Sequence, residues 1–109
     1  FRNIDNRILF GGGRNIDLTG ETTTDISTSP EIINHLIFLL KSVILPTTNF
    51  EIDHQWAGIM GVGSSKKPIV KKCTRSIFCG VRLGGMGIAI GSLVGKELAE
   101  LIIDDNKSK

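Results

Sequence analysis

Near its carboxy-terminal end the chain reads CGVRLGGMGIAIGSLVGKELAELI (79–102), with six glycines leading into a segment of helical apolar spacing. Each glycine inside a helix costs about 0.8–1.0 kcal/mol relative to alanine. Gly87, Gly91 and Gly95 nevertheless recur at every fourth position, and with Ala99 they make one bare ridge on a helix. The residue types read as a strand, a glycine turn and a helix. That order gathers unpaired N–H groups and the positive end of the helix dipole at one point. Gly84, Gly85 and Gly87 permit positive φ and let another group approach the backbone. Two readings of the bare ridge stand side by side: close packing by a neighbouring element, or close approach of a ligand at the turn. GVRLGGMG lacks both the Gly-x-Gly-x-x-Gly spacing of a dinucleotide fingerprint and the Gly-Lys-Ser/Thr ending of a phosphate loop.

The rest of the chain supplies the elements around that feature. Residues 1–13 read as a hairpin, two β-prone runs about the turn-forming pair Asp5-Asn6. Residues 15–28 are polar and threonine-rich, without sustained period, and read as a loop. Helix start signals follow: Ser29 as cap, Pro30 at the first helical position, Glu31 at the positive dipole end, and Thr28 with Glu31 as an overlapping capping box. Ile32, Ile33, Leu36, Ile37, Leu40, Val43 and Ile44 then form a broad apolar stripe, stopped by Pro46. This helix is expected to lie along a sheet. NFEIDHQWAGIMGVG (49–63) alternates with period 2 and predicts a strand; PIVKKC and SIFCGV predict two more around a turn at 74–76. The last helix is expected from Met86 to Ile103, with a frayed polar tail at 104–109. The order β-β-α-β-β-β-α predicts an α+β fold with a mostly antiparallel sheet and one long packed helix. The final strand–Gly turn–helix has the look of an α/β layer.

Length and charge exclude several classes. At 109 residues the chain is at most one domain, and its net charge of +2 is too mild to call for nucleic acid or an anionic membrane. The cluster Lys66, Lys67, Lys71 and Lys72 reads as a solvated strand face, since aromatics are not interleaved with it. The longest uncharged run, Leu83 to Gly95, has 13 residues, short of the roughly 20 that a membrane span needs. Cys73 and Cys79 lack zinc-site spacing, and without a secretory leader free thiols and a cytoplasmic setting are expected. No metal-ligand cluster, Ser/His/Asp set or paired-carboxylate array stands out. His35 borders the apolar stripe. His54 shares a strand face with Trp56 and is either a satisfied structural histidine or a lining residue of a substrate cavity. Glu51 and Asp53 take the opposite, solvent-facing side.

Three linked stretches, RILFGGGRN (7–15), HQWAGIMGVGSSKKPIV (54–70) and GGMGIAIGSLVGKELAEL (84–101), resemble the carboxy-terminal third of the FAD-dependent D-amino-acid oxidase/glycine oxidase/sarcosine oxidase family. They span nearly the whole chain in the family's order. The resemblance implies that residues 1–80 belong to a substrate domain and that 81–103 return to the FAD-binding layer. The amino-terminal dinucleotide-binding part would then lie outside this sequence, in keeping with a chain that opens inside a hairpin and without methionine. The glycines gain a chemical reason: reduced flavin carries negative charge near N1 and the C2 carbonyl, which bare N–H groups at a helix amino-terminus stabilise. Gly84, Gly85, Met86, Gly87 and Ile88 are the implied flavin-facing positions. Met86 stands where many relatives have histidine, and Met60 where amino-acid oxidising relatives often carry a carboxylate-clamping arginine. Arg82 is the candidate substitute, with an ordinary surface or interdomain ion pair as the alternative. Arg82, His54 and Met60 are thus the candidate substrate-binding positions.

The implied activity is hydride transfer from the C–N bond of an amine or amino acid to flavin, with the 109-residue piece inactive alone and completed by the missing part of its own chain. A homo-oligomer is allowed. The rival reading from another class is a non-catalytic module that docks a partner through the glycine ridge. A weaker third is a phosphate- or nucleic-acid-binding domain built on SSKKPIVKK.

Overall fold

The computed structural model describes residues 1–108. The chain divides into two compact units, Phe1–Ile59 and Met60–Lys109.

In the first unit, strands β1 (Arg2–Ile4) and β2 (Arg7–Leu9) pair antiparallel, with Asn3 opposite Ile8. Asp5 (φ 48°) and Asn6 (φ 61°) both take the left-handed conformation. Such turns match the twist of a two-residue hairpin, and Asn and Asp tolerate them best after glycine. A 3-10 turn at Arg14–Ile16 follows the glycine run 11–13, and then helix α1 (Pro30–Leu39). Of the start signals of α1, the Ser29 cap and the Pro30-Glu31 first turn form as predicted, whereas the Thr28–Glu31 capping box makes no hydrogen bond among the described residues. Ser29 Oγ accepts the Ile32 N–H at 3.5 Å, with Pro30 and Glu31 in the first turn.

Two expectations for this helix need correction. Beyond Leu39 the chain continues as a π turn, Leu40–Ile44, in which the Leu45 N–H donates to the Leu40 carbonyl at 2.7 Å. A π turn holds an additional residue and shifts the phase of the apolar stripe. Val43, placed on the stripe by 3.6-residue periodicity, is consequently 67% exposed. Nor, among the described residues of its own unit, does α1 lie along the β1–β2 sheet. It packs on the 3-10 turn, where Ile32 is buried over Gly13. A Cβ at Gly13 (φ 84°) would stand 2.9 Å from Ile32 Cγ2.

The predicted strand at 49–63 is a further correction: the segment carries no strand, and Trp56 and Ile52 are exposed. Alternation describes a residue pattern, but a strand exists only with a ladder partner for its N–H and C=O groups. None is present among the described residues. Instead, Arg7 of β2 pairs with the Asp53 carboxylate.

In the second unit, β3 (Ile69–Lys72) and β4 (Phe78–Val81) form the predicted hairpin, in antiparallel register from Ile69 opposite Val81 to Lys72 opposite Phe78. Helix α2 (Gly87–Lys107) packs on both strands. It runs past Ile103 to Lys107, so residues 104–107 of the expected frayed tail are helical, while Lys109 lies outside the described residues. Lys72 of β3 pairs with Asp105 there, and the Lys107 ammonium lies 3.5 Å from the Asp104 carboxylate. The buried side chain among the unit's described residues is Val94, whose Cγ1 would be 2.9 Å from a Cβ at Gly80, with Leu98 Cδ2 at 3.5 Å. The class is α+β as predicted, built on two separate two-stranded antiparallel sheets.

Two outcomes follow. Val94→Ala lowers stability by about 1–3 kcal/mol through lost burial and a residual cavity, and Gly80→Val by about 1–3 kcal/mol through overpacking, both read by urea denaturation of the full-length protein. The second concerns pH. The hydrogen bond and charge of Arg7 hold the Asp53 carboxyl below its ordinary value. Its contribution is therefore complete above the ordinary carboxylate range and fades as pH falls through the lowered value. An NMR titration of the Asp53 carboxyl shows the low midpoint, and Arg7→Ala returns it to the ordinary range.

Candidate functional site

The segment joining β4 to α2 carries an unusual backbone. Arg82 (φ 63°), Gly84 (φ 61°) and Gly85 (φ 82°) are all left-handed. For glycine this conformation is free of penalty, whereas for arginine it costs about 1–2 kcal/mol. Two fastenings from the loop before β3 hold it. The Gly84 N–H donates to the Gly61 carbonyl at 3.0 Å. The Arg82 guanidinium donates from Nε (3.1 Å) and Nη2 (2.8 Å) to the Lys67 carbonyl. Glycines stand opposite both: a Cβ at Gly61 would lie 3.2 Å from Arg82 Cα, and one at Gly63 would lie 2.8 Å from Arg82 Cδ.

Inside the turn the Met86 N–H donates to the Leu83 carbonyl at 3.0 Å, and the Ala89 and Ile90 N–H groups share the Met86 carbonyl. Met86 is the N-cap residue of α2 and provides no side-chain cap, nor does an acidic residue occupy the first turn. The N–H groups of Gly85, Gly87 and Ile88 have no acceptor among the described residues. Three donors and the positive end of a 21-residue helix thus meet at an exposed point. This arrangement suits a negatively charged or carbonyl-rich edge. It offers no proton-transfer group, and no group of three or more His, Cys, Asp or Glu placed to hold a metal occurs among the described residues.

The sequence-predicted positions divide accordingly. Gly84, Gly85, Met86, Gly87 and Ile88 form the turn, and Met60 joins them, its Sδ 3.3 Å from where a Cβ on Gly85 would stand. Arg82 is at the turn, but Nε and Nη2 of its fork are engaged on the Lys67 backbone. His54 belongs to the first unit and is exposed beside Asp53. Around Gly91 and Gly95 nothing among the described residues lies within 4 Å of an added Cβ, so no element of the second unit packs on that part of the ridge. The sequence reading missed Gly61, Gly63 and the Lys67 carbonyl. The available signal was the recurrence of glycine within a supposed strand, which marks a close approach of backbone. Gly80 in β4 carried the same signal.

Loss of the Arg82 fork frees the loop. Arg82→Gly relieves the backbone but removes both bonds to Lys67, and Arg82→Lys retains charge without the planar fork. Both variants are expected to raise amide exchange at Gly84 by roughly tenfold, corresponding to about 1.4 kcal/mol, the scale of a net hydrogen bond. Unchanged exchange in both would mean that the Gly61 carbonyl holds the turn unaided.

A family model described as FAD dependent oxidoreductase matches residues 1–101. No curated protein and no solved structure is similar enough to count as a match. The matched span takes in both units, from the first hairpin through the glycine turn and most of α2: the chain belongs to the FAD dependent oxidoreductase family.

Proposed function

We propose that this chain is the carboxy-terminal part of an FAD-dependent oxidoreductase acting on the C–N bond of an amine or amino acid, with Gly84–Ile88 against the flavin. Family membership supports the reaction class and the cofactor. The observation that carries the placement is the set of open N–H groups at Gly85, Gly87 and Ile88, on a turn without a capping side chain. They fit the negatively polarised edge of an isoalloxazine ring, which accepts hydrogen bonds and favours a positive potential. When bound, the flavin supplies the hydride acceptor. The chain's own residues orient it: Gly85, Gly87 and Ile88 donate, Met60 gives a thioether wall beside Gly85, and Arg82 maintains the turn's shape. In this reading residues 1–80 serve the substrate domain and 81–103 the cofactor layer, whose remainder lies outside these residues. With two bonds of the Arg82 fork spent on Lys67, support for a carboxylate clamp at that position weakens, and an amine fits as well as an amino acid.

Among the described residues no helix is long and apolar enough to cross a membrane. The second reading, a non-catalytic module docking through the glycine ridge, draws on the open surroundings of Gly91 and Gly95.

The test uses the purified full-length protein and its flavin absorbance. Gly87→Val places a branched side chain at the first helical position. The nearest atom to its Cβ is the flexible Leu83 Cδ1 at 3.2 Å, so the fold accommodates it. Flavin content is expected to fall at least about tenfold with unchanged helix content by circular dichroism, since one lost charge-assisted bond alone is worth about 1.5–3 kcal/mol. A flavin-free wild type would overturn the enzyme reading in favour of docking. Normal flavin in Gly87→Val would overturn the placement of the turn.

A further inference from the structure

The hairpin of the second unit holds both cysteines of the chain. Cys79 is in β4 opposite Lys71. Cys73 follows β3 and extends its ladder, its N–H donating to the Ile77 carbonyl at 2.8 Å. Alternation puts Cys73 on the same face as Lys71, so the two cysteines are diagonal cross-strand neighbours. Their sulfurs are 3.2 Å apart and both thiols are free, with Cys73 exposed and Cys79 half-buried. We propose that Cys73 and Cys79 are an oxidisable dithiol, a modification site that closes to an intrachain disulfide by exchange with a low-molecular-weight disulfide.

The chemistry balances in two steps. The thiolate of one cysteine attacks a sulfur of the small disulfide, forming a mixed disulfide and expelling one small thiolate, which takes up a proton. The second cysteine loses its proton and attacks the protein-side sulfur of that mixed disulfide. The intrachain S–S bond forms and a second small thiol leaves. Two protein thiols are oxidised, and one small disulfide is reduced to two thiols. Exchange requires thiolate. The Cys73 thiol is pushed above its ordinary value, first by its hydrogen bond with Cys79, and burial and the Cys79 charge add to this. The Lys71 ammonium acts in the opposite direction but more weakly, so Cys73 rests as a thiol at neutral pH and reacts faster as pH rises. A disulfide bond needs the sulfurs at about 2.05 Å, roughly 1 Å closer than they stand, a distance that side-chain rotation with small backbone adjustment supplies. The loop closed is short, so the entropic gain is small and the bond remains reducible. This inference is independent of the flavin reading.

The test exposes the full chain to oxidised glutathione, blocks residual thiols, and digests with trypsin without reduction. Trypsin cuts after Lys72, Arg75 and Arg82, so the bond joins peptide 73–75 to peptide 76–82. The expected result is that linked pair, lost on reduction, in a monomeric chain. Cys73→Ser and Cys79→Ser should each retain the glutathione adduct at least tenfold more than wild type, because neither has a resolving thiol. A wild type that accumulates adducts like the single variants would overturn the proposal. So would disulfide-linked dimers as the main product, or unreacted thiols in the folded chain when the urea-unfolded chain reacts.

Discussion

Each unit closes on a buried aliphatic side chain set against a glycine. Ile32 occupies the space a Cβ would fill at Gly13, and Val94 the space one would fill at Gly80. A glycine in such a place lets a helix approach the opposing backbone by the width of a methyl group, and close packing rewards that approach through dispersion. Everything else rests on these two contacts. The 3-10 turn positions Gly13 under α1, and the β3–β4 ladder positions Gly80 under α2. The direction in which α2 leaves the hairpin, and hence where its amino-terminus points, is determined at Gly80.

The glycine turn is held from outside itself. Its left-handed residues would be strained at Arg82 without a compensating interaction, and the guanidinium supplies one by gripping the Lys67 carbonyl. Gly61 then anchors Gly84. What results is a helix terminus whose donors have been left open while the backbone around them is fastened. Preorganised donors of this kind stabilise charge without reorganising when it appears. The same fastening diverts Arg82 from the surface role its residue type suggests.

Elements governed by local chemistry were legible in the sequence. Asp5-Asn6 specified its hairpin through left-handed tolerance, Ser29-Pro30-Glu31 specified a helix start, and the glycines at 84–87 marked a turn. Elements governed by distant partners were not. The alternation at 49–63 matched a strand, yet whether a ladder forms depends on an edge elsewhere, and the sequence alone does not show that none is offered. The π turn at 40–44 obeys no residue signal visible at that site, so the stripe appeared to include Val43. Asp104 and Asp105 read as a frayed tail because Lys72, the partner that ties α2 down, is far away in sequence. In the site, the turn's own residues could be named from composition, but the acceptors at Gly61 and Lys67 are backbone carbonyls, which leave no mark in a sequence. Arg82 was visible as a charge; the direction of its side chain was not.

The slenderness of the two cores has a thermodynamic consequence. Ile32 and Val94 are the buried hydrophobic side chains among the described residues, while Trp56, Phe38, Leu93 and Ile88 remain in water. The heat capacity of unfolding grows with the apolar area that unfolding newly hydrates. With so much of that area already wet in the folded state, these residues on their own have a small heat-capacity increment. Their stability curve is accordingly only weakly curved against temperature.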